Sequence, residues 1–275
     1  MSEPRDDAVA AESGQRAAQT SAAAPGTAVL ITFPPSLDCE LSRFLLAHYR
    51  FPYEERRHVV IFSFFVTLWH GSTLYFPLLY GSFPPLDHVR KMIDTFDPLC
   101  PADRTLLLTG PGRDSVEADW KAFNGTLGAA VAAVSYFHLL PHRQIMIRPL
   151  TNGTPGYEAL AVRLAYPVFA WFLRKVLKLS ASAAQESLGQ IRSAVQNVDA
   201  RLADGRQYLV DNRFSLSDMA FANALAPLVL PDAYAKLLPS LAEMPPALRS
   251  LIAEIQSRPA GQFALRIYRD HRGGA

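Results

Sequence analysis

A chain of 275 residues, 49% hydrophobic and 19% charged, can bury one large core or two modest ones, and a formal net charge of +2 gives no basis for a nucleic-acid partner. Two cysteines, Cys39 and Cys100, make neither a disulfide framework nor a metal-ligand set, a usage that fits a reducing compartment and points to the cytoplasm. No segment reads as a transmembrane helix, because residues 59–69 are too few and residues 160–177 carry Arg163 and Arg174; a greasy surface still permits peripheral contact with a membrane.

Residues 1–26, rich in Ala, Ser, Gln and acids and without a signal-peptide core, read as a disordered tail. Residues 28–32 follow as a short apolar strand, and then a helix with Leu41, Phe44, Leu45 and His48 on one face. Between the two lies Phe33-Pro34-Pro35-Ser36-Leu37-Asp38-Cys39. Orphan N–H groups and the positive end of a helix dipole stabilise an anion at such a junction. Two readings are open there. Either Ser36 and Cys39 handle a thiolate, or Ser36 caps the helix and Cys39 is a small buried residue.

Pro52 ends that helix, since the residue before a proline avoids the helical region. A partly exposed strand follows over residues 53–60, then an apolar run over 61–69, a turn at His70-Gly71-Ser72 and a third strand over 74–80. Gly81-Ser82 turns the chain toward residues 83–86. Asp87 caps a helix through Phe96 whose apolar face is Val89, Met92, Ile93 and Phe96. The order β-α-β-(α)-β-β-α describes a compact α/β domain.

The pattern breaks at Asp97-Pro98, and everything after Gly112 reads as helical. A helix capped by Ser115 runs to about residue 140, with Gly125 and Gly128 inside it to permit close packing. Pro155 opens another through Leu177, kinked by Pro167 within an aromatic run. Residues 182–202 form the next, with Leu188, Ile191, Val195, Val198 and Leu202 as its stripe. The expected organisation is a tail (1–26), an α/β domain (27–97), a linker (98–113) and an all-helical domain (114–275). His138 and His142 are four apart, but no third ligand stands out, so no metal site is expected.

Phe214-Ser215-Leu216-Ser217-Asp218 is a capping box with a hydrophobic staple of Phe214 and Met219. Together with residues 201–213 it closely resembles the helix-end, turn and capping-box signature of cytosolic glutathione S-transferases, which usually have Gly where this chain has Asp211. The resemblance implies a thioredoxin-like α/β N-terminal domain followed by an all-α C-terminal domain, glutathione as co-substrate and a homodimer. It also places Ser36 where many such enzymes keep the Ser or Cys that contacts the glutathione sulfur. A hydroxyl there would lower the pKa of the thiolate. Cys39, if exposed, could itself form mixed disulfides with glutathione. Pro77 matches the family's cis proline, which would let the Phe76 N–H and C=O pair with the cysteinyl backbone; an edge-strand proline in trans is the alternative.

The family's acidic residue and Ser that bind the γ-glutamyl group fall at His88 and Val89, with Asp87 able to supply the charge if the register slips by one. The start of that helix still offers N–H groups for a carboxylate. Residues 61–69, flanked by His58 and His70, replace a segment that helps hold the glycyl carboxylate. Their aromatics suit core packing, an acceptor pocket, a dimer face or a membrane surface. Trp120, Asn124 and Tyr136 lie on the long helix that usually walls the family's acceptor pocket, and either line it or pack in the core. The implied activity is conjugation of glutathione to a hydrophobic electrophile. A non-catalytic relative that binds an apolar ligand or protein partner is one alternative. A glutathione-dependent thiol redox or peroxidase activity using Cys39 is the other.

Overall fold

Strand β1 (Ala28–Thr32) is buried along its whole length because it is the central strand of the sheet. In the computed structural model, which describes residues 27–72 and 75–273, β2 (Tyr53–Arg57) pairs with β1 in parallel and β3 (Leu78–Tyr80) pairs with it antiparallel. The tail assigned to residues 1–26 lies outside the described residues. Helix α1 (Leu37–His48) makes the crossover that parallel pairing of β1 and β2 requires. The apolar run becomes helix α2 (Val60–Trp69).

Two expectations for this domain change. The third strand shortens to Leu78–Tyr80, since Pro77 has no N–H to give the ladder, and the segment after Gly81 contributes one bridge, Leu79 to Leu86. Helix α3 (Val89–Phe96) starts one residue late, with His88 rather than Asp87 at its N-cap. Asp87 is buried and turns its carboxylate to Lys91 Nζ (2.6 Å) and Ser72 Oγ (3.2 Å).

Buried Asp97 organises the connection between the domains. Its carboxylate accepts from the N–H groups of Leu106 (2.6 Å) and Leu107 (3.0 Å) and from the Tyr49 hydroxyl (3.2 Å). The helical domain begins earlier than Ser115: α4 (Pro111–Trp120) has proline in its first turn, where a missing N–H costs nothing. A π-helical stretch, Lys121–Leu127, joins α4 to α5 (Gly128–Leu139). Next come α6 (Arg143–Thr151), α7 (Gly156–Val176) and α8 (Ala181–Leu202). The expected kink in α7 is present, with Ala165 at φ −108°. Pro167 cannot bond the Arg163 carbonyl, and the Arg143 guanidinium takes that oxygen instead at 2.6 Å.

Helix α9 (Leu216–Val229) is the core of the molecule, buried on nearly every side, as its all-round hydrophobicity requires. The short α10 (Asp232–Ala235), then α11 (Pro246–Gln256), α12 (Pro259–Ile267) and a π-helical turn, Tyr268–Arg272, complete the chain. The capping box forms. Asp218 Oδ2 accepts from the Ser215 N–H (2.8 Å) and hydroxyl (2.9 Å), and Oδ1 accepts from the Leu209 N–H (2.7 Å). In the preceding turn Asp211 and Asn212 hold φ of 49° and 47°, a conformation that short polar side chains tolerate better than most.

A buried ion network seals the two domains together. Arg272 Nε donates to Glu40 Oε1 (3.0 Å), Arg43 bridges Glu40 (3.2 Å) and Glu55 (2.8 Å), and Arg57 reaches from Glu55 (2.9 Å) to Asn152 (3.1 Å). Removal of one partner from such a network leaves an uncompensated charge.

The Asp218 carboxylate serves three donors, so Asp218→Ala leaves buried groups unpaired and is expected to lower unfolding stability by about 3 kcal/mol. Ser215→Ala, which removes only the cap hydroxyl, is expected to lower it by about 1 kcal/mol. Urea unfolding followed by circular dichroism measures both; equal losses would contradict the assignment.

Candidate functional site

The Phe33–Leu37 loop, where β1 gives way to α1, is anchored from the opposite domain. The Tyr234 hydroxyl donates to the Pro35 carbonyl (3.0 Å) and the Asn223 amide donates to the Leu37 carbonyl (3.1 Å). Both donors are buried, and the Tyr268 hydroxyl steadies Asn223 at 3.4 Å. Ser36 is the N-cap of α1, and its Oγ accepts from the Cys39 N–H at 3.4 Å. That bond uses an acceptor lone pair and leaves the hydroxyl proton available to donate.

Cys39 takes the other of its two readings. Its side chain is fully buried in the core, and its sulfur accepts from the Phe33 N–H at 3.3 Å. Burial pushes the thiol up to about 12, against the opposing pull of Arg43 and of hydrogen bonds from Phe33 and Ser36. A neutral, inaccessible thiol neither attacks nor exchanges disulfides at neutral pH. The expectation of a nucleophilic Cys39 is therefore corrected.

Ser36 opens onto a cleft of about 520 Å³ between the domains. The α/β domain supplies Phe33, Pro35, Asp38, Phe64, Tyr75 and Phe76, and the helical domain supplies Asn124, Tyr136, Met146, Leu173 and Asn223 among others. Aromatic edges shape the wall near Ser36, with Phe76 5.9 Å from Phe33 and 5.5 Å from Phe64 between ring centres. The Phe76–Pro77 peptide is cis.

Few polar groups reach the cleft. Ser135 Oγ is buried there with no hydrogen-bond partner among the described residues. Burial raises the Tyr136 phenol well above its ordinary range and keeps it a neutral donor. Asp38 meets solvent at the cleft, where the surrounding protein raises its carboxyl and His88 partly opposes that shift.

The glycines on this wall do not serve close packing. A Cβ at Gly125 would meet nothing within 4 Å, and one at Gly128 would meet only ordinary contacts. Both line the cleft, in or beside the π-helical stretch, so the irregular helix and its missing side chains make room. Of the residues expected to wall an acceptor pocket, Asn124 and Tyr136 do so, while Trp120 packs against the core instead.

The expected γ-glutamyl set is not assembled as anticipated. Asp87 is engaged by Lys91 and Ser72, and Val89, the first residue of α3, is buried. His88 is exposed and stands behind Tyr75 at the edge of the cleft, with ring centres 4.6 Å apart. His58 pairs with Glu158 of α7, Nδ1 to Oε1 at 2.7 Å, and the Val59 N–H donates to Oε2 of the same carboxylate at 2.7 Å. The fully buried Glu158 thus occupies donors at the start of α2. Among the described residues no three His, Cys, Asp or Glu side chains converge as a metal-binding group.

Tyr75, Asp38, Ser135 and Asn223 were not legible as site residues. The two glycines, each unfavourable in a helix interior, were the one sequence signal for the open wall.

Residues 161–259 match the family described as glutathione S-transferase, C-terminal domain. The beta-etherase LigF from Sphingobium sp. strain SYK-6 is similar in structure at 16% identity and a TM-score of 0.53, over 87% of this chain and 99% of that one. A glutathione S-transferase from Rhodospirillum rubrum F11 is similar at 16% identity and a TM-score of 0.52, over 89% and 99%. One from Methylobacillus flagellatus KT, solved with glutathione bound, is similar at 16% identity and a TM-score of 0.50, over 86% and 98%. No match is found among curated proteins. Residues 161–259 thus match the glutathione S-transferase C-terminal domain model, and the chain has the glutathione S-transferase fold.

Proposed function

We propose that this protein conjugates glutathione to a hydrophobic electrophile. The observation that carries the reading is the position of Ser36, at the N-terminus of α1 and on the rim of an apolar cleft of about 520 Å³. The Ser36 hydroxyl donates to the glutathione sulfur, and with the helix dipole it favours the thiolate. The Phe76 N–H and C=O flank the cis peptide bond and pair with the cysteinyl backbone. N–H groups at the start of α3 receive the γ-glutamyl carboxylate. The electrophile lies against the Phe64, Tyr136 and Leu173 side of the cleft. The thiolate attacks its electron-poor carbon, a C–S bond forms, and the electron pair leaves with the displaced group or is protonated after addition. A cytoplasmic homodimer belongs to the same reading.

A specific observation favours a second reading, a non-catalytic protein that binds an apolar ligand in the same cleft. Lys91 and Ser72 hold Asp87, and His58 is paired with Glu158, so charges that would grip glutathione face inward.

Retention on immobilised glutathione and turnover of an aromatic chloride separate the two. The transferase reading expects the wild type to be retained and active, Ser36→Ala to lose about ten-fold or more in kcat/KM, and Cys39→Ser, if folded, to keep activity. A wild type that is neither retained nor active overturns it in favour of the second reading. Gly125→Leu fills open space and is expected to weaken binding of an apolar fluorescent dye about ten-fold while unfolding stability changes by less than about 1 kcal/mol. Unchanged dye binding would place the apolar site elsewhere.

A further inference from the structure

Helix α7 has two apolar faces. Glu158, Val162, Tyr166, Phe169 and Leu173 are buried against the protein. On the outer side, Tyr157, Leu160, Leu164, Val168 and Trp171 recur at three- and four-residue spacing and are all exposed, Leu164 by 77%. Such a stripe normally faces a core. Helix α2 extends the surface: Phe65, Leu68 and Trp69 are exposed, Trp69 by 88%, and the Phe62 and Tyr157 rings meet at 5.8 Å between centres. Apolar exposure continuous across two helices marks an interaction site rather than ordinary surface.

The exposed charges on these two helices are of one sign. Residues 121–185 contain seven Lys or Arg and a single acid, Glu158, which is buried against His58 and the Val59 N–H. Arg163, Arg174, Lys175 and Lys178 lie on α7 or just past its end and are exposed. Helix α2, VIFSFFVTLW, carries no charge at all. Aromatic and aliphatic side chains beside cations, on two helices that expose no acid of their own, are the chemistry of a helix lying in the interface of an anionic bilayer. A second copy is the poorer fit. The same face of a second copy brings more cations and no exposed acid from either helix to meet them.

We infer that the α2–α7 face docks on an anionic lipid bilayer, with Trp69, Leu164 and Trp171 inserted at the headgroup level and the α7 cations against the lipid phosphates. No helix among the described residues is long and apolar enough to cross a membrane, so the contact is interfacial. Tyr75 and Val176 line the cleft and are also exposed, so the cleft opens beside this face. The docking does not depend on the transferase reading, and glutathione retention tests that reading separately.

The test is co-sedimentation of the full chain with phosphatidylcholine vesicles, with and without phosphatidylglycerol. Binding is expected to be at least about ten-fold stronger with the anionic lipid and to weaken with added salt. Leu164→Glu combined with Trp171→Glu is expected to abolish it, and Arg174→Glu with Lys175→Glu to reduce it to the level of the neutral vesicles. Arg249→Glu, at an exposed position of α11, is expected to leave it intact. All the substituted side chains are exposed, and unfolding midpoints confirm that each variant is folded. A wild type that stays in the supernatant with both vesicles overturns the inference. So does binding that survives both double variants. A vesicle-blind wild type that sediments as a dimer and is split by Leu164→Glu would assign the face to a second copy instead.

Discussion

The loop between β1 and α1 carries the only residue of the strand–helix junction with a hydroxyl facing the cleft, and it is fixed by groups from elsewhere in the chain. Tyr234 and Asn223 lie some two hundred residues downstream and donate to the carbonyls of Pro35 and Leu37. The Pro35 carbonyl precedes Ser36, the first acceptor used by α1, so it needs an outside donor, while the Leu37 carbonyl, already within α1, takes the Asn223 amide. Because those donors are buried in the helical domain, the position of Ser36 relative to the cleft follows from how the two domains dock. The ion network of Glu40, Arg43, Glu55 and Arg272 holds that docking on the other side of α1.

This arrangement separates two environments along one helix. The start of α1 faces an apolar cavity with unpaired donors, while its middle buries Glu40 and Arg43 in a charged seam. Cys39 falls between them and belongs to neither, packed among Leu41, Phe44 and their neighbours. One turn of helix is enough to convert a residue type associated with reactivity into core. The same logic applies at α7, where Glu158 turns inward to serve His58 and Val59 while the outer stripe is left without protein to cover it.

Much of the fold was legible because it is written in local signals. The capping box at Ser215–Asp218 uses residues three apart, and the kink at Pro167 follows from one ring. The strand, helix, strand order of the first domain followed from periodicity. What periodicity cannot carry is which side of an element faces a distant partner. Asp87 read as a cap, yet α3 begins at Val89 and the carboxylate closes on Lys91 one turn later. Gly125 and Gly128 read as packing residues, yet both line the cleft, Gly125 against open space. The donors that clamp the Ser36 loop come from Asn223 and Tyr234, and nothing local to either residue announces the contact.

The central claim is that glutathione lies between Ser36, the Phe76 backbone and the start of α3. Amide chemical shifts during a glutathione titration test it without depending on turnover. The account predicts saturable shifts at the Ser36, Phe76, Val89 and Arg90 amides, with the α8 and α11 amides unmoved. Saturating glutathione that leaves those four amides in place, or that shifts only residues remote from the cleft, would contradict it.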